Sequence, residues 1–212
     1  MNVDPIARLY RWIEYAAFGR SLERCRFAFL DTVAARQRVL ILGEGDGRYL
    51  AQILTLNPRA QIDVIEASAR MISQARQRIQ QTADRVLFIQ ADAINTDLPL
   101  DTFDAVVTNF FLDCFSSEEA HRLITRVIAS LKTGGVWIVS EFQKPETGLA
   151  RVHASVWLWT MYLFFRLTTG LRVRELPPYS ALLKGEGLQL VSEQRRRFGL
   201  MVSQVWSRPP VP

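Results

Sequence analysis

The sequence predicts a doubly wound α/β fold: a seven-stranded, mostly parallel sheet with helices on both faces and an antiparallel C-terminal strand. Three observations carry this expectation. Short apolar runs at 39–42, 61–65, 86–90, 103–108 and 136–140 alternate with stretches of helical period. A glycine cluster directly follows the first run. The last segments, 187–194 and 200–207, read as a closing antiparallel pair.

Residues 6–35 read as one or two helices. Ile6, Leu9, Ile13, Ala16 and Ala17 recur at helical spacing, Gly19 breaks the pattern, and a second run covers 22–33. Residues 39–42 form a buried strand ending in a tight turn, and 49–56 a helix stopped by Asn57 and Pro58. Strand 61–65 leads into helix 69–81, followed by strands 86–90 and 103–108. Ser117 with Glu118 and Glu119 marks the capped start of a helix over 117–131. Residues 132–135 form a turn before strand 136–140. After Glu141 the alternation stops, and 151–170 is an apolar helical insertion. The chain thus reads as one domain: a helical cap (1–38), a core (39–142), an apolar insertion or lid (143–186) and closing strands (187–212).

At 212 residues the chain suits one sizeable α/β domain, and 49% apolar with 22% charged residues is ordinary for a packed globular protein. The net charge of +5 and an isoelectric point near 9.6 permit weak attraction to anions without singling out nucleic acid. Arg195, Arg196 and Arg197 form the one basic run, read as a solvated edge between strands, so no nucleic-acid partner is expected. Cys25, Cys114, His121 and His153 lack metal-ligand spacing, and no metal is expected. The first residues, with Asn2, Asp4, Arg8 and Arg11, have no apolar secretory core, which makes a reducing cytoplasm the expected location.

The glycine cluster is Gly43-Glu44-Gly45-Asp46-Gly47. Glycine allows a tight turn and close approach of a ligand, and the helix that follows offers free N–H groups. A dinucleotide fingerprint needs a third glycine or alanine that neither register provides, since Arg48 and Leu50 stand there. Glu66 ends the second strand about 20 residues on, where an acid can accept from ribose hydroxyls. Asp92 follows the third strand, within reach of an adenine amino group.

In that order these segments resemble the class I methyltransferases that use S-adenosylmethionine (SAM) and release S-adenosylhomocysteine (SAH). Residues 39–47 resemble the family's first motif and 62–67 its second; Asp92-Ala93 falls at the adenine position. Phe103-Asp104-Ala105-Val106-Val107 resembles the fourth-strand motif, and Leu131-Lys132-Thr133-Gly134-Gly135 the turn before strand five. The resemblance implies a Rossmann-like sheet, SAM as cofactor, and a cofactor set of Gly43, Glu44, Gly45, Asp46, Gly47, Glu66, Ala67, Asp92, Ala93 and Asn109. One position departs from the pattern. The family usually has an acid two residues before the first glycine, where it helps orient the methionine end; this chain has Ile41, with Glu44 or Asp46 as replacements.

Methyl transfer from a sulfonium is an in-line displacement, so alignment supplies much of the rate, and a base is needed only if the acceptor must lose a proton. The acceptor belongs beside the C-terminal strand ends. Asp113 is the candidate base, against a reading as a loop-ordering aspartate, and His153 a second, against a simply packed histidine. Cys114 reads as a small buried residue rather than a nucleophile. Tyr10, Phe110, Phe111, Glu141, Trp157 and Met161 are the candidate acceptor contacts. Thr108-Asn109-Phe110-Phe111 lacks the prolines of the nucleobase amino-methyltransferase loop.

The run 152–165 is apolar nearly all round and shorter than a membrane span. It reads as a lid over an apolar acceptor that can touch a membrane surface, or as a packed helix at a homodimer interface. Ser140-Glu141-Phe142-Gln143-Lys144-Pro145 before it resembles the ubiquinone/menaquinone C-methyltransferases, which carry an Arg-Asn pair where this chain has Asp113-Cys114. A small lipophilic or aromatic acceptor follows as the leading expectation. A non-catalytic SAM- or partner-binding module and an RNA methyltransferase stand as alternatives, the first supported by Ile41 and the second by charge alone.

Overall fold

The computed structural model describes residues 15, 17–145, 147–170, 173 and 175–210. Tyr10, with Ile6, Leu9, Ile13 and Ala16 of the expected first helix, lies outside the described residues.

Seven strands form one sheet: β1 (Arg38–Leu42), β2 (Gln61–Glu66), β3 (Val86–Gln90), β4 (Phe103–Asn109), β5 (Leu131–Phe142), β6 (Gln189–Arg196) and β7 (Met201–Ser207). Their order is β3-β2-β1-β4-β5-β7-β6. The first five pair in parallel, while β7 runs antiparallel to both β5 and β6. The order reverses at β1, whose neighbours β2 and β4 lead in opposite directions, so a crevice opens beyond the C-terminal ends of these strands.

β1 sits at the centre and is buried on both faces. Leu40 and Leu42 pack with Val106, Trp137, Leu123, Ile124 and Leu183 on one side. Val39 and Ile41 pack with Leu50, Ile53, Val107 and Ile138 on the other. This is the outcome of alternating side chains in a continuously apolar strand. Helices α2 (Arg48–Leu56) and α3 (Ala69–Arg78) follow β1 and β2, and α4 (Ser117–Ser130) leads into β5. Ser68 caps α3 by accepting from Met71 N–H, and Ser116 with Glu119 forms a reciprocal capping box on α4.

Several boundaries differ from expectation. The run over 22–33 is not one helix: α1 (Ser21–Arg26) stops at Phe27, and a 3-10 turn covers Leu30–Val33. Phe27 instead stacks on Tyr49, ring centroids 5.7 Å apart, which draws the chain down onto α2. Helix α3 ends at Arg78 and gives way to 3-10 turns over Gln80–Arg85. The expected turn at 132–135 is absorbed into β5, because Gly134 N–H and Gly135 C=O pair with the backbone of Arg208.

The apolar insertion is α5 (Gly148–Thr169), 22 residues long and closed by Gly170 in the left-handed conformation. Its inner face, with Ala154, Leu158, Met161 and Tyr162, packs on Phe18, Leu22, Cys25, Phe142 and Met201. A short helix α6 (Tyr179–Gly185) follows and packs against α4. It starts directly after Pro177-Pro178 and has too few turns to show a period. Among the described residues no helix is long and apolar enough to cross a membrane.

Candidate active site

The three loop glycines all adopt left-handed backbone angles, with φ of +68°, +73° and +84° at Gly43, Gly45 and Gly47. Their surroundings separate their roles. A Cβ on Gly43 would overlap the Phe111 ring, and one on Gly47 would lie 2.6 Å from Ala75 Cα in α3. Those two glycines admit the protein's own packing. At Gly45 a Cβ would meet nothing within 4 Å, so this is the glycine that leaves room for a ligand.

The loop is held by the acids around it. Glu66, at the end of β2, accepts from Gly45 N–H at 3.1 Å and from Ser68 N–H at 2.9 Å. Glu44 Oε1 accepts from Leu50 N–H at 2.9 Å, capping α2 from within the loop. Asp46 pairs with Arg48 at 2.8 Å and with Arg78 at 3.3 Å, and its carbonyl accepts from Arg78 Nε. Asp46 therefore orders the outer side of the turn.

Beyond the strand ends lies a cleft of roughly 830 Å³, within the usual size range for small-ligand sites. Its wall includes the glycine loop with Glu66, Ala67, Ser68 and Met71, and Asp92, Ala93 and Ile94 after β3. The same wall also includes Asn109, Phe110, Phe111, Cys114, Phe115 and Glu119, with Arg26 from α1, Thr169 and Gly170 from the end of α5, and Val173 beyond it. Asp92 Oδ1 accepts from Ile94 N–H at 3.1 Å, and Asn109 Oδ1 is enclosed without a partner.

Phe110 holds a left-handed φ of +54°, rare for an aromatic side chain. Its N–H donates to Ser140 C=O, and its ring packs 4.9 Å from that of Phe142. Glu141 then fixes the loop: Oε1 accepts from the N–H groups of Phe111 at 2.9 Å and Leu112 at 2.7 Å.

Several expected contacts move. Glu141 has no exposed surface, so it supports the Phe110–Phe111 loop from behind rather than facing an acceptor. Asp113 is 7% exposed and stands behind Cys114, whose thiol faces its Oδ1 at 3.5 Å. Burial pushes the Asp113 carboxyl up to about 6 and raises Glu141 well above the carboxylate range, the neighbouring Asp113 adding to the latter. The same burial, with these two acids, raises the Cys114 thiol well above its ordinary value.

Trp157 and Met161 also leave the expected acceptor wall, because the inner face of α5 covers the end of the sheet and only its C-terminus reaches the cleft. The Trp157 ring lies 5.5 Å from Phe18 and 5.1 Å from the Arg197 guanidinium. Met161 is buried among Phe18, Cys25 and Phe142. His153 packs between Trp157 and Phe198, outside the described cleft wall. The basic run is likewise engaged: Arg195 pairs with Glu193, and Arg197 donates to Ala17 C=O.

Arg26, Phe115, Glu119, Thr169, Gly170 and Val173 join the wall without any sequence signal that marked them. They lie on segments that only the folded topology brings to the strand ends.

The cleft fits SAM: Gly45 leaves open space, an unpartnered amide oxygen stands at Asn109, and acids stand at the ends of β2 and β3. A family model described as a methyltransferase domain matches residues 39–135. A phosphatidylethanolamine N-methyltransferase from Cereibacter sphaeroides is 30% identical over 162 residues, 74% of this chain and 77% of that protein. The chain belongs to the class I SAM-dependent methyltransferases.

This methyltransferase is also similar to a ubiquinone/menaquinone biosynthesis C-methyltransferase from Pseudomonas fluorescens, 28% identical over 84% of this chain and 68% of that protein. Among solved structures, the apo SAM-dependent methyltransferase SibL matches with a TM-score of 0.72 at 19% identity. That match covers 95% of this chain and 58% of the other, and it bears on the fold. The methyltransferase thus spans less than two thirds of that structure's length. SAM is the cofactor that the family and fold imply.

Proposed function

We propose that this enzyme transfers a methyl group to a small lipophilic acceptor held at the Phe110–Cys114 part of the cleft wall. When bound, SAM supplies an electrophilic methyl group on a sulfonium. In this reading Glu66 and Ala67 take the ribose edge, Asp92 and Ala93 the adenine, and the glycine loop the methionine end. Asn109 adds its free amide oxygen to the cofactor side, while Phe110 and Phe111 align the acceptor and exclude water from it. Alignment supplies the rate, since Asp113 lies behind Cys114 and His153 lies outside the cleft wall.

One observation carries the lipophilic part. Helix α5 ends in the cleft wall at Thr169, and along its outer face Leu149, Val152, Val156, Trp159, Leu163 and Leu167 are exposed at 3- and 4-residue spacing. An apolar stripe leading to the cleft suits an enzyme that meets its acceptor at a lipid surface. One relative is named for phosphatidylethanolamine and another for ubiquinone/menaquinone biosynthesis, which supports the same chemical class. The proposal places the enzyme in the cytoplasm at the membrane surface, with a homodimer through the stripe as the competing arrangement.

The test is an assay with methyl-labelled SAM against phosphatidylethanolamine vesicles, demethylquinol analogues and total RNA. Label in an organic-extractable product is the expected result. Label confined to RNA, or SAH binding without turnover on any lipophilic acceptor, overturns the reading.

A further inference from the structure

The turn between β6 and β7 is built against its own backbone preference. Arg197, Phe198 and Gly199 hold left-handed φ of +48°, +56° and +82° in succession. Turns of that shape favour asparagine and glycine, and an aromatic residue in them is disfavoured. Phe198 stands there all the same, with its ring 82% exposed, so neither backbone preference nor burial accounts for it. Strain kept at an exposed position points to a contact made outside the fold.

The Phe198 ring lies 6.2 Å from that of His153 on α5, and the preceding Arg197 guanidinium sits 5.1 Å from the Trp157 ring. His153 comes four residues after Leu149 and three before Val156, both on the exposed stripe of that helix. The turn therefore flanks the N-terminal half of the stripe, and the two segments form one exposed apolar surface.

Charge decides the occupant. From 147 to 174 the sequence has Arg151, Arg166, Arg172 and Arg174 and no Asp or Glu. Residues 193–199 hold three arginines against one acid, Glu193, which pairs with Arg195. A second copy packed on the stripe about a two-fold axis would set Arg151 and Arg166 against a helix with no acid to meet them. The inner face of α5 is committed to Phe18, Phe142 and Met201, so the helix suits lying along a bilayer rather than crossing it. An exposed apolar face with Trp159 on it and arginines at its margins fits the headgroup region of an anionic membrane.

We propose that the outer face of α5 and the Phe198 turn dock together on a bilayer carrying anionic headgroups. Trp159, Leu163 and Phe198 enter the apolar boundary, and Arg166 keeps its guanidinium at the phosphates. Docking in this way sets the C-terminal end of α5, and with it the cleft wall at Thr169 and Gly170, near the lipid. The inference rests on the lipid-surface reading above and adds to it the charge of that surface and a second anchor.

The test mixes the full chain, without SAM, with sedimentable vesicles of phosphatidylcholine alone or with about one third phosphatidylglycerol. Binding at least about tenfold tighter to the anionic vesicles is expected, with that gain lost in high salt. Arg166→Gln should reduce the gain. Phe198→Asn, and Trp159→Ser combined with Leu163→Ser, should each weaken binding to the anionic vesicles at least about fivefold. Asparagine suits a left-handed turn, so Phe198→Asn should keep or raise Tm while losing the membrane, whereas a purely structural Phe198 gives the reverse. Equal binding to both vesicles, binding to neither, or wild-type binding by Phe198→Asn overturns the proposal. A dimer in sedimentation that the Trp159 and Leu163 changes abolish, without vesicle binding, gives the stripe to a second copy and overturns it as well. Methyl transfer to a detergent-dispersed lipophilic acceptor is followed in parallel. Transfer retained without docking leaves the acceptor class standing, and docking without transfer to any such acceptor sinks the acceptor class alone.

Discussion

The Phe111 ring lies directly against the backbone of Gly43: a Cβ on that glycine would overlap it, with Cε2 only 2.8 Å away and Cδ2 nearer still. The first glycine of the loop and the aromatic residue after β4 are therefore one packing unit in the cleft wall. Gly43→Ala is expected to destabilise the fold by about 2–4 kcal/mol, combining the overlap with a positive φ. Adding Phe111→Ala should recover the steric part and leave the backbone part, about 1 kcal/mol. Urea unfolding of the two single variants and the double checks this. Strict additivity would mean that the two residues do not touch.

Glu141 sets the other side of the same loop. Glu141→Ala leaves the N–H groups of Phe111 and Leu112 buried without an acceptor, and about 2–4 kcal/mol of stability should be lost. Glu141→Gln keeps one oxygen in place and should lose much less. If alanine and glutamine cost the same, the two hydrogen bonds do not hold the loop.

Asp113 and Glu141 are both pushed upward by burial, so the native state binds protons more tightly than the unfolded chain. Their contribution is fully present below the unfolded carboxylate range, near pH 4, and is lost as pH rises, through about 6 for Asp113 and higher for Glu141. Asp113→Asn should flatten the fall in stability between pH 5 and pH 7 relative to wild type. Urea midpoints at the two pH values measure the difference, and parallel curves would contradict it.

Asn57 ties the segment before β1 to the turn after α2. Its Nδ2 donates to Val33 C=O at 2.8 Å and Arg36 C=O at 2.7 Å, while Oδ1 accepts from Arg59 and Ala60 N–H. Asn57→Ala should cost about 2–4 kcal/mol, because this amide is buried and fully used. A loss under 1 kcal/mol would show that water replaces it.

What the sequence made legible follows from how local each signal is. The alternation of apolar runs and the spacing from Gly43 to Glu66 and Asp92 are properties of consecutive segments, and they pointed to the sheet and to one part of the cleft wall. Asn57 was readable only as a helix stop, because its partners Val33 and Arg36 are more than 20 residues away. The rest of the cleft wall was hidden for the same reason. Arg26, Thr169 and Val173 meet Phe110 only through the crossing of α1 and α5 over the sheet. The apolar character of α5 was plain from composition, but which face it buries depends on Phe18, Phe142 and Met201. That choice half-buries Trp157 and leaves Trp159 outside.

The most direct test of the account titrates SAH into the wild type and Glu66→Gln, with Tm measured on both to confirm that the variant is folded. Glutamine removes the charge and one acceptor oxygen from the group that holds Gly45 and faces the cleft. At least about tenfold weaker SAH binding is expected in a variant that stays folded. Unchanged affinity would contradict the claim that the glycine loop and the end of β2 form the cofactor site.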